Sequence, residues 1–163
     1  YTSDWRQNIV AFKWDDSHEY AFCLKYNQER LAYTTSENAI PLIRLPEMYY
    51  IIAECTPSAQ ESADILNKVR QSRGIPYSEE LQATGFDSPD ANSVENKQQT
   101  RRINEIMKEY RKEFYAEGQL FFFLKAHNYS TYYGCGLANM TSKEYQMPLP
   151  DNEKIFGNNS TTK

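Results

Sequence analysis

Residues 98–125 read QQTRRINEIMKEYRKEFYAEGQLFFFLK, and this stretch decides the architecture of the chain. Its first half carries apolar side chains at helical spacing, namely Ile103, Ile106, Met107, Tyr110 and Phe114. At about 100° per residue these side chains form one narrow stripe, so the spacing predicts a helix over 98–117 that ends at Gly118. The run 120–124 after this glycine is too apolar for solvent, and we expect it to pack into a gap between other elements.

Glu117 falls within the angular range of this apolar stripe. A carboxylate in that position needs a cation or several donors, because burying it unpaired costs several kcal/mol. The candidate partners are Arg44, Arg70 and Arg111. Arg44 is notable because it stands just before a predicted helix, within an otherwise apolar run. We therefore predict a buried ion pair between Glu117 and one of these three arginines.

Two further helices are predicted upstream, separated by almost no linker. The first covers 45–55, and its predicted buried face consists of Met48, Ile51, Ile52 and Cys55. Thr56 is expected to cap the second helix, which runs through residue 73 and stops at Gly74. Helices joined so tightly form an antiparallel hairpin, against which the third helix can pack.

The remaining segments carry weaker signals. Aromatic and branched residues at 5–14 and 20–26 predict short strands. Residues 75–97 hold little apolar content and are too long for an ordinary connection, so we expect an exposed polar excursion. The fold class predicted is therefore mainly α, with a few short strands and long loops. At 163 residues the chain is one domain, or the C-terminal part of a larger one.

Composition narrows the function classes. The 18 basic and 22 acidic residues give a net charge of −4, which argues against nucleic-acid binding. Tyrosine is abundant, with 13 residues, and its flat ring with a polar tip suits either a carbohydrate- or protein-contacting surface or a tyrosine-rich core. No signal peptide, lipid-attachment sequence or apolar span is present, and we expect the chain to be part of a longer protein.

Metal and cofactor chemistry is not indicated. The histidines, His18 and His127, lie far apart without partners at metal-ligand spacing. Cys23, Cys55 and Cys135 form no C-x-x-C pair, and three cysteines cannot all pair within one chain. We predict no metal site and no cofactor, and the cysteines leave both their pairing and the compartment open.

Catalysis is also not indicated by the motifs. The repeat of Glu109, Glu113 and Glu117 could suggest the acid pair of a glycoside hydrolase, but such pairs come from elements that flank a cleft. On one helix, interleaved with basic residues, they are better interpreted as a solvated charged edge plus one buried ion-pair member. We predict no catalytic residues and keep the hydrolase as the least favoured alternative.

Four stretches, in this order, resemble the C-terminal part of the SusD/RagB family. They are IPLIRLPEMYYIIAE (40–54), LNKVRQSRG (66–74), EYRKEFYAEGQLFFFLK (109–125) and YQMPLPDNE (145–153). The third departs from the commonest family pattern, because Leu120 and Phe123 stand where many members carry an arginine and then an aspartate. Transferred ion pairs and a shared substrate are therefore not implied.

The resemblance implies a helical fold built from tetratricopeptide-like helix pairs. It implies a nutrient-binding lipoprotein of the Bacteroidetes on the outer face of the outer membrane, whose anchor is absent from this chain. It implies a SusC-like TonB-dependent transporter as partner, and a glycan, or in some members a peptide, as the nutrient. The second function hypothesis is a helical-repeat scaffold that binds a protein segment.

No ligand-binding residue follows from the family motifs. Exposed aromatic rings could stack on sugar faces, and the candidates are Trp5, Trp14, Tyr132 and Tyr133. The alternative is that each of these rings packs in the core or against an N-terminal half of the protein that this chain lacks.

Overall fold

Four α-helices surround the hydrophobic core of the structure, a computed structural model that describes residues 3–7, 12–14, 16–17, 21–25 and 41–150. The helices are α1 (Leu45–Cys55), α2 (Ala59–Gln71), α3 (Arg101–Glu113) and α4 (Gln119–Ala126). Two short strands, β1 (Phe12–Trp14) and β2 (Ala21–Cys23), pair antiparallel with Phe12 opposite Cys23. Single 3-10 turns lie at Trp5–Gln7 and Tyr77–Glu79. The expected mainly α class is confirmed.

The N-terminal strand prediction is correct only in part. The strand expected over 5–14 is wrong at Trp5–Gln7, which forms a 3-10 turn. The carboxylate of Asp4 accepts a hydrogen bond from the backbone N–H of Arg6 at 3.0 Å, and this local bond turns the chain away from an extended path.

The hairpin of α1 and α2 forms as predicted, with a different cap. Thr56 was expected to cap α2, but the hydroxyl of Ser58 does so, accepting from the N–H of Glu61 at 3.2 Å. Ser62 then donates to the carbonyl oxygen of Ala53 at 2.6 Å, which ties the two helices together. Both Ala53 and Ser62 are fully buried, because small side chains let the helix axes approach closely.

The predicted buried face of α1 is wrong. Met48, Ile51 and Ile52 are 39%, 43% and 50% exposed, and Cys55 is exposed as well. The helix instead turns Tyr50 and Ala53 inward. The ring of Tyr50 lies 5.3 Å from that of Tyr110 and 6.0 Å from that of Phe114, so the aromatic side chain with the larger apolar area takes the core position.

The apolar stripe of α3 is confirmed as the centre of the core. Four of its side chains are buried, namely Ile106, Met107, Tyr110 and Phe114. The helix begins at Arg101, after the cap Thr100, and ends at Glu113, four positions earlier than predicted. Ala116, at φ 61°, and Gly118, at φ 94°, both adopt left-handed backbone, so Gly118 precedes α4 instead of ending α3.

The aromatic run after Gly118 is helical and only partly buried. Phe123 and Leu124 are buried, and the ring of Phe123 stacks on Tyr110 with centroids 4.7 Å apart. Phe122, on the other side of α4, is 61% exposed. The predicted packing role therefore belongs to one side of the helix, since a helix cannot bury three consecutive side chains in one contact.

Segment 75–97 is exposed over much of its length but is anchored. Ile75, Leu81 and Phe86 are buried in it. The side-chain amide of Asn67 donates to the carbonyl oxygen of Leu81 at 3.0 Å and accepts from its N–H at 2.8 Å. The segment thus contributes side chains to the core, which its polar composition did not indicate.

Candidate functional site

Three glutamates on one face of α3 and just beyond it are buried. The side chains of Glu109, Glu113 and Glu117 are 0%, 4% and 1% exposed. The interpretation of two of them as a solvated edge is wrong, because cations from the N-terminal turn, from the strand region and from the hairpin cover this face. The cations are Arg6, Lys25, Arg44, Arg70, Arg73 and Lys112. We call this group the ion-pair cluster.

Glu113 lies at the centre of the ion-pair cluster. Its carboxylate accepts from Arg44 at 2.6 Å, from Arg73 at 2.9 and 3.0 Å, and from Arg6 at 3.3 Å. Burial alone raises the pKa of the carboxyl, but hydrogen bonds from Arg73 and Arg44 outweigh burial and lower the pKa of Glu113 to about 2. Glu113 is therefore an anion that holds three arginines from separate segments.

Arg44 is the arginine that reaches Glu117. Its Nε and Nη2 atoms donate to the two carboxylate oxygens of Glu117 at 3.0 and 2.9 Å, the bidentate geometry that guanidinium favours. Lys25 also contacts Glu117. The other two candidate arginines pair with other acids, since Arg70 binds Glu109 at 3.1 Å and Arg111 binds Glu95 at 2.8 Å.

Arg6 and Asp4 complete the cluster, and the sequence analysis missed both. Arg6 contacts Glu109 at 2.8 Å, and its Nε and Nη2 atoms bind the carboxylate of fully buried Asp4 at 2.9 and 2.8 Å. Burial lowers the pKa of Arg6, but Asp4 and Glu109 outweigh burial and raise it. Three acids facing the core require cations from other segments, but this requirement does not say which residues supply them.

This arrangement does not suit acid catalysis. A general acid of a glycosidase needs a raised pKa and an open path to its substrate. The pKa of Glu113 is lowered, and the three carboxylates are occupied by arginines and lysines. The cluster can instead fix the N-terminal turn, the hairpin and α3 relative to one another.

Trp5 lies against the end of α2 with one side open. Its backbone N–H donates to the carbonyl oxygen of Arg73 at 2.9 Å, and its side chain is 58% exposed. The indole passes so close to Gly74 that a Cβ there would come within 2.5 Å of Nε1. Trp14 ends β1, and its side chain lies outside the described part of the structure.

Tyr132 and Tyr133 lie elsewhere, beside the ion pair of Arg111 and Glu95. The guanidinium of Arg111 sits 5.6 Å above the ring of half-buried Tyr132. The backbone N–H of Tyr133 donates to Glu95 at 2.9 Å, and its side chain is 69% exposed. The structure thus brings the two tyrosines together, while Trp5 contacts a different element.

A cavity of about 220 Å³ is formed by residues 93–98, which include Glu95, and by Ser130 and Thr131. Its lining includes hydroxyl, amide and charged side chains as well as Val94. Tyr132 and Tyr133 follow directly in sequence. Polar groups beside an exposed ring are the combination that a sugar-binding surface uses.

Metal binding has no support in the part of the chain that the structure describes. No group of three or more His, Cys, Asp or Glu side chains there could hold an ion. Cys23, Cys55 and Cys135 are free thiols. His127 lies 3.2 Å from the carboxylate of Glu54, and His18 is outside the described residues.

Within residues 3–7, 12–14, 16–17, 21–25 and 41–150, no helix has the length and apolar character needed to cross a bilayer.

Comparison with known proteins decides the family. The model of the SusD family matches residues 5–163. This chain belongs to the SusD family. No match was found among curated proteins or among solved structures. The resemblance inferred from four stretches of sequence is confirmed, and the SusD family is in general one of non-catalytic, glycan-binding outer-membrane lipoproteins associated with SusC-like transporters.

Three of the SusD-like stretches meet at the ion-pair cluster. The stretch 40–54 supplies Arg44, the stretch 66–74 supplies Arg70 and Arg73, and the stretch 109–125 supplies the three glutamates. In this member of the SusD family, the arginines and glutamates of these stretches therefore pair with one another in the interior of the fold.

Proposed function

We propose that this chain belongs to a cell-surface nutrient-binding protein that binds a glycan or oligosaccharide without catalysis. It passes the nutrient to a SusC-like TonB-dependent transporter. In the full-length protein a lipid anchor holds it on the outer face of the outer membrane. The single observation that carries this proposal is the match to the SusD family over residues 5–163.

The absence of catalysis is supported by the ion-pair cluster. Glu109, Glu113 and Glu117 are the acids that a hydrolase would need, yet each is bound by arginine or lysine. Releasing one for chemistry would leave buried guanidinium groups unpaired, which costs several kcal/mol.

Among the candidates whose side chains the structure describes, namely Trp5, Tyr132 and Tyr133, we favour Tyr133 as the ring that stacks on a sugar. It is the more exposed of the two adjacent tyrosines, and it follows closely in sequence on Ser130 and Thr131, which line the cavity of residues 93–98. The hydroxyl and amide groups of that cavity, including Ser93 and Gln98, suit the hydroxyls of a sugar. Tyr132 is held under Arg111 and contributes its edge.

A glycan array on the full chain, followed by calorimetry on the best oligosaccharide, tests this proposal. We expect Tyr133→Ala to weaken binding about tenfold, because one aromatic platform contributes roughly 1–2 kcal/mol. Tyr77→Ala is the matched control, since Tyr77 is equally accessible at 75% exposure but lies in the 3-10 turn after α2. An array without any binder, or equal losses in both variants, contradicts the proposal.

A helical scaffold that binds a protein segment is the second candidate function. It is favoured by the exposed side chains of Leu45, Met48 and Ile52, which recur at i, i+3 and i+7 on α1. We include in this proposal that the helices of the chain pair as they do in tetratricopeptide repeats. Binding of a SusC-like transporter to the immobilised chain tests it, and here Ile52→Gln should weaken binding while Tyr133→Ala should not.

A further inference from the structure

A small cavity lies between α1 and α4, away from the aromatic candidates discussed so far. Its volume is about 220 Å³. The side chains that matter are Glu47 and Glu54 from α1, Tyr110 from α3, and Gln119, Phe122 and Phe123 from α4. Among the described residues, no Lys or Arg side chain lines it.

The polar groups of this cavity are mostly acceptors without partners. The carboxylate of Glu47 makes no hydrogen bond or ion pair with another described residue, and the Oε1 atom of Gln119 is buried with no hydrogen-bond donor among them. Glu54 has only His127, at 3.2 Å. An unpaired buried acceptor such as Gln119 Oε1 is uncommon in folded proteins, and the half-buried carboxylate of Glu47 also lines the cavity, so a donor from outside is expected to meet them.

The walls of the cavity add to the negative potential. The faces of aromatic rings are electronegative and attract cations. Burial raises the pKa of the Tyr110 hydroxyl, and Glu47 and Glu54 raise it further, because both carboxylates act on this ring at the wall of the cavity. Acceptors, carboxylates and ring faces together fit a flat cation.

We propose that this cavity binds the arginine side chain of a peptide. A guanidinium carries several donors in one plane, so it can reach two carboxylates and an amide oxygen while lying on an aromatic ring. The volume is below the range of about 300–1,000 Å³ typical of pockets for whole ligands, so it fits one side chain.

The rim explains why the arginine would belong to a peptide. Phe122 of α4 lines the cavity and is exposed, and Ile51 is exposed on α1 at helical spacing between Glu47 and Glu54, so both offer apolar contacts to neighbouring peptide residues. Neither Trp5, Tyr132 nor Tyr133 lines the cavity, so the inference is independent of the proposed glycan surface.

The test is a titration of the full chain with N-acetylarginine methylamide, followed by calorimetry or NMR shifts. The citrulline analogue has the same shape without the charge, and we expect it to bind at least about tenfold more weakly. Glu47→Gln should also weaken arginine binding about tenfold, and it leaves no described partner unpaired. Asp64→Asn is the control, because it removes the same charge from an exposed site on α2 and should change nothing.

Several outcomes would overturn the inference. These are undetectable binding of the arginine compound, equal binding of the citrulline analogue, and an equal loss in Asp64→Asn and Glu47→Gln. Methylguanidine tests whether the peptide backbone matters. If methylguanidine binds as tightly as N-acetylarginine methylamide, the cavity does not require a peptide. Thermal unfolding of each variant verifies that a lost signal reports the cavity and not the fold.

Discussion

The inner face of α3 and the outer face of α1 reverse the usual distribution of polar and apolar side chains. On α3, Glu109 and Glu113 are buried among arginines. On α1, Met48 and Ile52 are 39% and 50% exposed. Both helices belong to the same small core and lie next to each other.

The difference shows that partners, and not hydropathy alone, decide which face of a helix turns inward. The glutamates are buried because arginines on separate segments neutralise them and satisfy their oxygens. The aliphatic side chains stay outside because Tyr50 and Ala53 already fill the contact with α3 and α2. A charged face can thus be part of a core while an apolar face remains available for binding.

The largest expected effect comes from removing the central acid of the ion-pair cluster. Glu113→Ala leaves Arg6, Arg44 and Arg73 without their shared carboxylate, and breaking a buried pair in this way costs about 3–5 kcal/mol. Urea unfolding measures the loss, with Asp64→Ala as an exposed control. A cost below about 1 kcal/mol, the value typical of surface pairs, would mean that the cluster does not hold the segments together.

Acid should weaken the cluster in a defined pH range. The pKa of Glu113 in the folded chain is about 2, against an ordinary value of 4.5. Because the folded value is the lower one, the stabilisation is complete above pH 4.5 and is lost as the pH falls toward 2. The loss amounts to about 3 kcal/mol at 1.36 kcal/mol per pKa unit.

The comparison of wild type with Glu113→Gln isolates this contribution from those of the other acids. We expect the free energy of unfolding of the variant to fall less steeply between pH 4.5 and 2. Parallel curves for the two proteins would show that Glu113 titrates normally.

The smallest expected effect lies on the outer face of α1. Ile52→Gln should change the free energy of unfolding by less than about 0.5 kcal/mol, because the side chain is already half exposed. Thermal or urea unfolding of the isolated chain provides the measurement. A loss of 2 kcal/mol or more, as for a core residue, would place this face in the interior and remove the contrast with α3.

Sequence periodicity predicted α1, α2 and α3 and the stripe of α3, but not that the aromatic run after Gly118 forms the helix α4. Four apolar side chains at helical spacing faced the core as expected, because α3 is surrounded by apolar partners on that side. The same rule failed for α1, where Tyr50 and Ala53 are buried although the aliphatic face of the helix is longer. Periodicity identifies a stripe but cannot compare two stripes on one helix without knowing the facing surface.

The ion-pair cluster was predictable only in outline. Glu117 and Arg44 could be named because each interrupts an apolar pattern. Arg6 and Asp4 could not, because their contacts with α3 span more than a hundred residues of sequence and depend on a local turn. The cavity between α1 and α4 was likewise hidden, since its walls come from three helices.

Position 67 is one where only asparagine fits the hydrogen bonds that the fold makes. Its amide matches both backbone groups of Leu81, one as donor and one as acceptor. Aspartate offers only acceptors, leucine offers neither, and glutamine extends one methylene too far for the same geometry. Replacing Asn67 by any of these three residues should therefore release Leu81 from α2, even though every other residue of the loop is unchanged.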